Sequence, residues 1–392
     1  MKTIAVIFGG KSAEHDVSIV TAIGNVIKPL ELSKKYRIEA VYITKNGAWF
    51  WDDKLKDIKL FTSGEIDKFV ARANPASVQF DGGMTLVKSS GLAGRKRQLK
   101  IDIVFPSMHG TYGEDGTLMG VLDMAGVPYV GCGLEASVLA MDKVVTKQMA
   151  VANNLPSNKF VYFMSKELER NPAAALKRVK AELKYPMFVK PAHLGSSIAI
   201  TKVANDIELR NAMEVAARFD DKIIVEEAVA NLIEVTLPIL GNDELTPAYL
   251  EQPMISAESF FDFETKYMSQ GGKKTGGAKS GGAKRGAQGY SKIPADLPKD
   301  LYAKAEAIGL GVYRALGCSG TARVDMLIDG KAKQIYVNEV NPLPGSLYAH
   351  NWRQKGVSNV ELVTRLVELA EERWHERQNL STVFSTNFLK QF

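Results

Sequence analysis

Four polar residues near the end of the chain have the types and spacing of a site that holds metal ions on phosphate. Arg323 and Asp325 lie two residues apart in one strand-like run, and Glu339 and Asn341 lie two apart at the end of the next. Alternate residues of a strand share a face, so pairing of the two runs would bring all four side chains together. Carboxylate and amide oxygens are hard ligands suited to Mg²⁺. These residues alone leave open an alternative, the polar face of an exposed hairpin.

A lysine followed by a glycine–serine turn forms a second constellation, one suited to phosphate. Lys190 closes the apolar run 186–191, and Gly195-Ser196-Ser197 precedes a predicted strand at 198–203. Backbone N–H groups of such a turn form an anion-binding nest, and the ammonium neutralises charge. The sequence lacks the P-loop signature G-x-x-x-x-G-K-[ST], so we predict a phosphate site of another kind.

Acidic residues flank this predicted phosphate site. Glu226 and Glu227 end a predicted strand, and Glu234 begins the next one. Carboxylates and backbone groups there could hydrogen-bond an adenine amine and ribose hydroxyls. The alternative is an ordinary charged strand edge, which the apolar flanking residues make less favourable.

The elements that position the earliest candidate residues are typical of a doubly wound α/β domain. The apolar run 4–8 predicts a buried parallel strand, followed by a Gly-Gly turn and an apolar stripe at helical spacing. Ligands of such folds bind at the C-terminal ends of the strands, which is where Glu14 lies. His109 lies in a glycine-rich loop after another apolar strand at 101–105, a position that favours a functional role over a structural one.

Composition narrows the class of protein. With 392 residues, 45% of them hydrophobic and 24% charged, the chain suits two or three globular domains. No apolar run reaches membrane-spanning length, and the first residues enter a strand rather than a signal peptide. The two cysteines, Cys132 and Cys318, give no disulfide framework or zinc pattern, so we expect a reducing cytoplasm.

The net charge of +6 is concentrated in one segment. Five basic residues and no acidic ones lie between residues 270 and 290, in a glycine-rich tract. A nucleic-acid binder that uses this tract is an alternative function, but the tract lacks interleaved aromatic residues for base stacking. We expect residues 271–289 to form a mobile lid that closes over phosphates; an inert linker insertion is the alternative.

Six motifs resemble, in order, those of the D-alanine–D-alanine ligases of the ATP-grasp superfamily. They read GGKSAEHDVS (9–18), HGTYGEDGT (109–117), MDK (141–143), FVKPAHLGSS (188–197), LGCSGTARVD (316–325) and NEVNPLPG (338–345). The resemblance implies an α/β ATP-grasp fold with three α/β domains, the N-terminal one doubly wound. Residues 1–131 would bind the first substrate, 132–229 and 230–375 would clamp ATP, and 376–392 would be a tail. The last domain would carry the metal site and a mobile loop at 268–292.

The resemblance also implies a reaction and assigns residues to it. ATP would phosphorylate the carboxylate of a first D-alanine, and the amine of a second would attack the acyl phosphate. The implied catalytic residues are Glu14, Ser196, Tyr267, Arg323 and Gly345, and the further substrate-binding residues are His109 and Ser346. The implied ATP-binding residues are Lys143, Lys190, Glu226, Glu227, Val229, Glu234, Phe260 and Lys266. Asp325, Glu339 and Asn341 would hold two Mg²⁺ ions, with Mn²⁺ as a substitute.

Three departures from the family pattern bear on the second substrate. Ile198-Ala199 follows the serine turn where an apolar residue and glycine are usual. Segment 342–352 differs from the usual Thr- and Ser-containing pattern, and Ser346 is the candidate there for the hydroxyl that binds the carboxylate of the second substrate. The loop after Tyr267 is longer than usual and rich in glycine. We expect D-alanyl-D-alanine synthesis for peptidoglycan, and hence a role in cell wall biogenesis and cell shape. The alternative is a related ligase whose second substrate is another amino acid or a 2-hydroxy acid, although Tyr267 favours an amine acceptor.

The expected partners are the small molecules ATP and D-alanine, with neither nucleic acid nor membrane. A homodimer is an expectation from the resemblance alone, and the expected location is cytoplasmic.

Overall fold

A computed structural model describes residues 1–90, 95–254, 291–381 and 386–392. The predicted nucleotide- and substrate-binding residues Phe260, Lys266 and Tyr267, and the predicted lid at 271–289, lie outside the described residues. Among the described residues, no helix combines the length and the apolar character needed to cross a lipid bilayer.

Strands and helices alternate along most of the chain. The strands are β1 Thr3–Gly9, β2 Arg37–Ile43, β3 Trp49–Trp51, β4 Ala76–Phe80, β5 Met84–Ser90, β6 Arg95–Ile101, β7 Ile103–Pro106, β8 Phe160–Met164, β9 Met187–Pro191, β10 Thr201–Val203, β11 Lys222–Glu227, β12 Leu232–Leu240, β13 Thr246–Pro247, β14 Gln252–Pro253, β15 Ser291–Lys292, β16 Thr321–Asp329 and β17 Gln334–Asn341. The α-helices are α1 His15–Val20, α2 Lys28–Ser33, α3 Ile58–Thr62, α4 Ile66–Arg72, α5 Thr117–Ala125, α6 Leu134–Met141, α7 Lys143–Ala152, α8 Ser165–Arg170, α9 Pro172–Glu182, α10 Asp206–Ala216, α11 Lys299–Ala315, α12 Ala349–Gln354 and α13 Asn359–Gln378. A π-helical segment, Thr21–Ile27, joins α1 to α2, and 3₁₀ turns occupy Asp53–Lys56, Gly345–Tyr348 and Phe388–Gln391.

The first sheet has the order β3-β2-β1-β7, and β1 pairs in parallel with both β2 and β7. All seven residues of β1 are buried, as expected for a parallel strand covered on both faces. An antiparallel arm of three strands, β4-β5-β6, extends this first unit. The parallel strands direct the loops that carry Glu14 and His109 to one edge of the sheet.

Two antiparallel sheets follow and carry the remaining candidate residues. Their orders are β10-β9-β11-β8 and β13-β12-β16-β17. Helix α7 precedes both sheets in sequence. It begins with a strong cap, because the Asp142 carboxylate accepts hydrogen bonds from Val144 N at 2.9 Å and Val145 N at 3.1 Å. We propose the boundaries 131/132 and 229/230 for the three units, since the first falls between β7 and β8 and the second between β11 and β12.

The core of the first unit is completed from the far end of the chain. Buried residues of β1, β2 and the helical segments 15–33 form one apolar cluster with Leu362, Val363 and Leu366 of α13. Arg373 of the same helix donates to the Gly131 and Tyr129 carbonyl oxygens and to Ser319 Oγ. The closing helix therefore joins the start of the chain to its last unit.

One predicted strand boundary is wrong. Residues 198–200 were expected in a strand, but Ser196, Ser197 and Ala199 have φ values between 53° and 59° and the strand begins only at Thr201. The left-handed backbone is incompatible with an extended ladder. Helix α13 continues to Gln378, the third residue of the proposed tail at 376–392.

Candidate active site

Strands β16 and β17 bring the four residues of the predicted metal site together. They pair antiparallel, with Arg323 opposite Asn341 and Asp325 opposite Glu339, and a bulge follows Asp325. The Arg323 guanidinium donates to Asp325 at 2.7 and 2.5 Å, and Asn341 Nδ2 donates to Asp325 Oδ2 at 3.2 Å. The predicted pairing of the two runs is therefore confirmed, while the binding of metal stays a prediction.

The N-terminus of α7 lies next to these four residues, on the side of Glu339. Lys143 Nζ lies 3.5 Å from Glu339 Oε2 and donates to the Leu194 carbonyl oxygen at 2.7 Å. Its backbone N–H donates to the Ala192 carbonyl oxygen at 3.1 Å. Lys143 thus holds the glycine–serine loop against the strand that carries the predicted metal ligands.

The loop at 192–200 is also held at its base by His193. The backbone N–H of His193 donates to Asp220 at 2.7 Å, and its two ring nitrogens lie 2.9 Å from Asp220 and 3.3 Å from Asp142. These carboxylates raise the pKa of His193 to about 9, so the ring is an imidazolium at neutral pH. His193, Asp220 and Asp221 have ligand atoms within 4.8 Å of one another. Because the protonated ring of His193 already supplies the positive charge in this cluster and has no free nitrogen lone pair, His193 is a poor metal ligand.

The loop meets the first unit at Glu14. Ser196 Oγ donates a hydrogen bond to Glu14 Oε1, joining residues 182 positions apart. Gly110 and Gly195 flank the carboxylate so closely that a Cβ at either position would lie about 3 Å from Glu14 Oε2. Burial, followed by the nearby charge of Glu114, raises the pKa of Glu14.

His109 lies fully inside this junction. Its Nε2 lies 3.0 Å from Thr21 Oγ1, and its Nδ1 lies 3.9 Å from Glu114 Oε2. Burial opposes a charge on the ring, but the carboxylates of Glu114 and Glu14 outweigh it and raise the pKa of His109. Thr21 Oγ1 also accepts from Ser346 N at 3.1 Å. One hydroxyl of the π-helical segment therefore contacts both predicted substrate-binding residues, His109 and Ser346.

A buried ion pair marks the predicted nucleotide site. Lys190, at the end of β9, donates to Glu226 Oε2 at 2.8 Å and to Asn338 Oδ1 at 3.2 Å. Burial would raise the pKa of Glu226, but Lys147 and Lys190 hold it at about 2. The carboxylate is therefore ionised and can only accept hydrogen bonds.

The other predicted nucleotide contacts differ in orientation. The Glu227 carboxylate accepts from Lys184 N at 2.9 Å. Because neighbouring residues of a strand face opposite ways, its side chain lies on the other face of β11 from that of Glu226. Val229 is half-buried in the loop after β11, and Glu234 lies half-buried on β12, opposite Leu327.

The segment after β17 is unusual. Ser346, Leu347 and Tyr348 all have φ values near 50°. The Arg323 guanidinium lies 5.0 Å from the centre of the Tyr348 ring, which packs at 5.0 Å against the ring of His350. His350 Nε2 lies 2.8 Å from Glu251 Oε2. Gly345, whose N–H is a predicted oxyanion donor, begins this segment, so the segment lies beside the four residues of the predicted metal site.

Sequence reasoning missed Lys147, which lies beside Glu226 and Lys190 in the predicted nucleotide site. Its Nζ lies 3.4 Å from Glu226 Oε1 and contacts Asn158 and the Val337 carbonyl oxygen at 2.7 and 2.9 Å. A signal was present, because Lys143 and Lys147 are four residues apart and helical neighbours at that spacing share a face.

Comparison with known proteins identifies the family. The models "D-ala D-ala ligase N-terminus" and "D-ala D-ala ligase C-terminus" match residues 3–132 and 149–368. A D-alanine–D-alanine ligase of Acetivibrio thermocellus is 33% identical over 388 residues, covering 96% of this chain and 97% of the relative. One from Chloroherpeton thalassium is 35% identical over 381 residues, covering 96% and 98%.

Solved structures agree. VanG D-Ala:D-Ser ligase from Enterococcus faecalis matches with a TM-score of 0.75 and 32% identity, covering 94% of this chain and 99% of that one. The D-alanine–D-alanine ligase from Coxiella burnetii matches with a TM-score of 0.74 and 26% identity, covering 96% of both chains. The expected α/β ATP-grasp fold is confirmed. The chain belongs to the D-alanine–D-alanine ligase family.

Proposed function

We propose that this enzyme uses ATP to join two D-alanines into D-alanyl-D-alanine through an acyl phosphate, as a step in making peptidoglycan precursors. The observation that carries the proposal is the contact between Ser196 and Glu14. It joins the crevice of the first unit to a loop that is also held by Lys143. A substrate bound at Glu14 would lie beside the place where phosphate is delivered.

The nucleotide would lie between the two antiparallel sheets. Lys143 and Lys190 would neutralise phosphate charge, and Glu226 would accept a hydrogen bond from the adenine amine. Glu234 would bind the ribose, and Val229 and the backbone of Glu227 would contact the base. Phe260 and Lys266 complete the proposed set and lie outside the described residues.

The donor set at the ends of β16 and β17 fits Mg²⁺, or Mn²⁺ in its place. Asp325, Glu339 and Asn341 supply two carboxylates and an amide, which are oxygen ligands of the kind these ions take. Asp325 and Glu339 are directly opposite each other on the paired strands, so both carboxylates would be available to hold the ions. Bound ions would supply charge stabilisation to the phosphates.

Residues of this chain would bind and orient the first D-alanine. The Glu14 carboxylate would hold the substrate ammonium, with Ser196 and Tyr267 completing the network. His109 would face the substrate carboxylate, and its raised pKa favours the charged form of the ring. Arg323 and the Gly345 N–H would stabilise the oxyanion that forms when the second amine attacks.

A second candidate function differs only in the second substrate. The similar VanG structure is described as a D-Ala:D-Ser ligase, and the segment 342–352 departs from the family pattern. Here Tyr348 and His350 lie where small hydroxyl residues were expected, with Ser346 as the remaining hydroxyl. A ligase for another amino acid or a 2-hydroxy acid is therefore the alternative.

The deciding experiment measures phosphate release from ATP with D-alanine and each of a panel of second substrates, with mass analysis of the products. D-alanyl-D-alanine as the dominant product supports the proposal. A dominant D-alanyl-D-serine or depsipeptide product supports the alternative, and ATP turnover that does not depend on D-alanine contradicts both.

We further propose a cytoplasmic location, which follows from the supply of ATP, and a homodimer. Sedimentation of the purified chain tests the homodimer directly.

A further inference from the structure

A buried lysine outside the proposed contacts joins the nucleotide site to the strand of proposed metal ligands. Lys147 of α7 is 0% exposed. Its Nζ donates to Asn158 Oδ1 at 2.7 Å and to the Val337 carbonyl oxygen at 2.9 Å, and lies 3.4 Å from Glu226 Oε1. An ammonium has three donors; two make hydrogen bonds here, and the ion pair with Glu226 balances the charge. A buried lysine without such partners would be strongly destabilising.

These contacts fix one end of β11. Asn158 Nδ2 donates to the Glu227 carbonyl oxygen at 2.9 Å, and Glu227 N donates to the Lys159 carbonyl oxygen at 3.0 Å. Lys147 therefore holds the carboxylate of Glu226 directly and the next peptide unit through Asn158. The carboxylate has little freedom to turn.

The two oxygens of Glu226 are used unequally. Oε2 accepts a hydrogen bond from Lys190. Oε1 is buried, has no hydrogen-bond partner within the described part of the chain, and lies 3.4 Å from Lys147 Nζ. A buried acceptor with spare capacity is costly unless a ligand uses it, so Oε1 is suited to a donor on the nucleotide.

We propose that Lys147 is a positioning residue that sets the base selectivity of the nucleotide site. By keeping Glu226 charged and turned toward the base, it makes the site accept the exocyclic amine of adenine, which donates. A 6-oxopurine presents an acceptor oxygen at the same place and is repelled. The inference rests on the proposed function in one respect, the contact between Glu226 and the adenine amine.

A purely structural role for Lys147 makes a different prediction. A stabilising lysine would lower the melting temperature when replaced, but it would reduce the use of all nucleotides alike. A positioning role changes the ratio between nucleotides that differ only at the 6-position of the purine.

The test compares ATP, ITP and purine riboside triphosphate, which lacks the 6-substituent, with D-alanine as substrate. Lys147→Met should raise the KM for ATP, and the preference for ATP over ITP in kcat/KM should fall by roughly tenfold or more, the size of a hydrogen bond to a charged group. The advantage of ATP over purine riboside triphosphate should fall with it. The KM for D-alanine should stay close to that of the wild type.

Two further variants protect the test against a folding failure. Lys147→Met with Glu226→Gln removes both charges, and an amide can either donate or accept, so the double variant should use ITP and ATP within a few-fold of each other. Lys159→Met removes an exposed lysine next to Asn158 and should leave the ratio unchanged.

Calorimetric binding of ADP and IDP separates the inference from the proposed function. If the wild type makes no dipeptide but prefers ADP, and Lys147→Met loses that preference, the inference stands and the proposed function fails. A folded Lys147→Met enzyme that keeps the wild-type preference for ATP over ITP overturns the inference.

Discussion

The proposed nucleotide side and the proposed acceptor side of this molecule differ in their backbone structure. On the nucleotide side, Lys143, Lys190 and Glu226 lie at the ends of regular elements and are paired and largely buried. On the acceptor side, residues 346–348 form a left-handed run beside Arg323. Regular elements fix charges in place, whereas an irregular segment can vary in conformation and side chain without disturbing a sheet.

This difference suggests how a family can keep one nucleotide and change its second substrate. The charge network spans α7, β9, β11 and β17, so altering one member leaves a buried charge without its partner. The acceptor segment, residues 346–348, has fewer buried charge pairs that depend on one another. If so, a substitution on one side should change the use of ATP without changing the use of the second substrate, or the reverse.

The largest effect should come from Glu339→Gln, which removes a carboxylate that faces Asp325 and lies 3.5 Å from Lys143. We expect turnover to fall by about 10³-fold, since charge stabilisation of the transferring phosphoryl group is lost. Steady-state kinetics with Mg²⁺ and circular dichroism check activity and fold together. Near-normal turnover would remove Glu339 from the proposed metal site.

Ser196→Ala should weaken the use of the first substrate more than that of ATP. The serine hydroxyl donates to Glu14, so its loss frees the carboxylate that would hold the substrate ammonium. We expect the KM for the first D-alanine to rise by roughly tenfold to a hundredfold, as for a misplaced positioning group. If instead nucleotide affinity falls and the D-alanine KM does not move, Ser196 belongs to the phosphate nest.

His350→Ala tests the acceptor side. The imidazole packs on Tyr348 and bonds to Glu251, so its removal should loosen the ring beside Arg323. We expect the KM of the second substrate to rise about tenfold, with the KM of ATP unchanged. Product analysis with competing D-alanine and D-serine should show an altered ratio. An equal loss for ATP and acceptor would mean that the two sides are not separable.

The smallest effect should be that of His193→Gln on stability. The folded-state pKa of His193 is raised to about 9 from 6.5, so its ion pairs contribute fully below pH 6.5 and their contribution is lost as pH rises through 9. The ring is partly exposed, so we expect the wild type to exceed the variant by at most about 1 kcal/mol at neutral pH. Urea unfolding from pH 6 to pH 10 measures the difference. A constant difference across that range would show that His193 acts through packing instead.

The strand ends were the part of the site that the sequence could predict. Spacing by two residues placed Arg323 with Asp325 and Glu339 with Asn341, and the antiparallel pairing brings them together. The lysine at the end of β9 was equally visible. These patterns can be read from a few neighbouring residues, because they depend only on the alternation of side chains along a strand.

Positive backbone angles were not predictable in the same way. Ser196, Ser197 and Ala199 are left-handed although none is glycine, and the predicted strand at 198–200 was wrong for that reason. The surrounding contacts to Lys143 and His193 impose the conformation. Glu226 was predicted, but the burial that makes its charge dependent on Lys147 comes only from the assembled sheets.

The joining of the first unit to the last helix has a consequence for synthesis. Leu362, Val363 and Leu366 complete the core around β1, so the first unit leaves the ribosome with an uncovered apolar face. That face stays uncovered until α13 has been made, a period in which exposed apolar surface promotes aggregation. A chain that stops before Asn359 would lack the cover permanently. In the nascent chain, the part that is translated first therefore waits longest for the residues that complete its core.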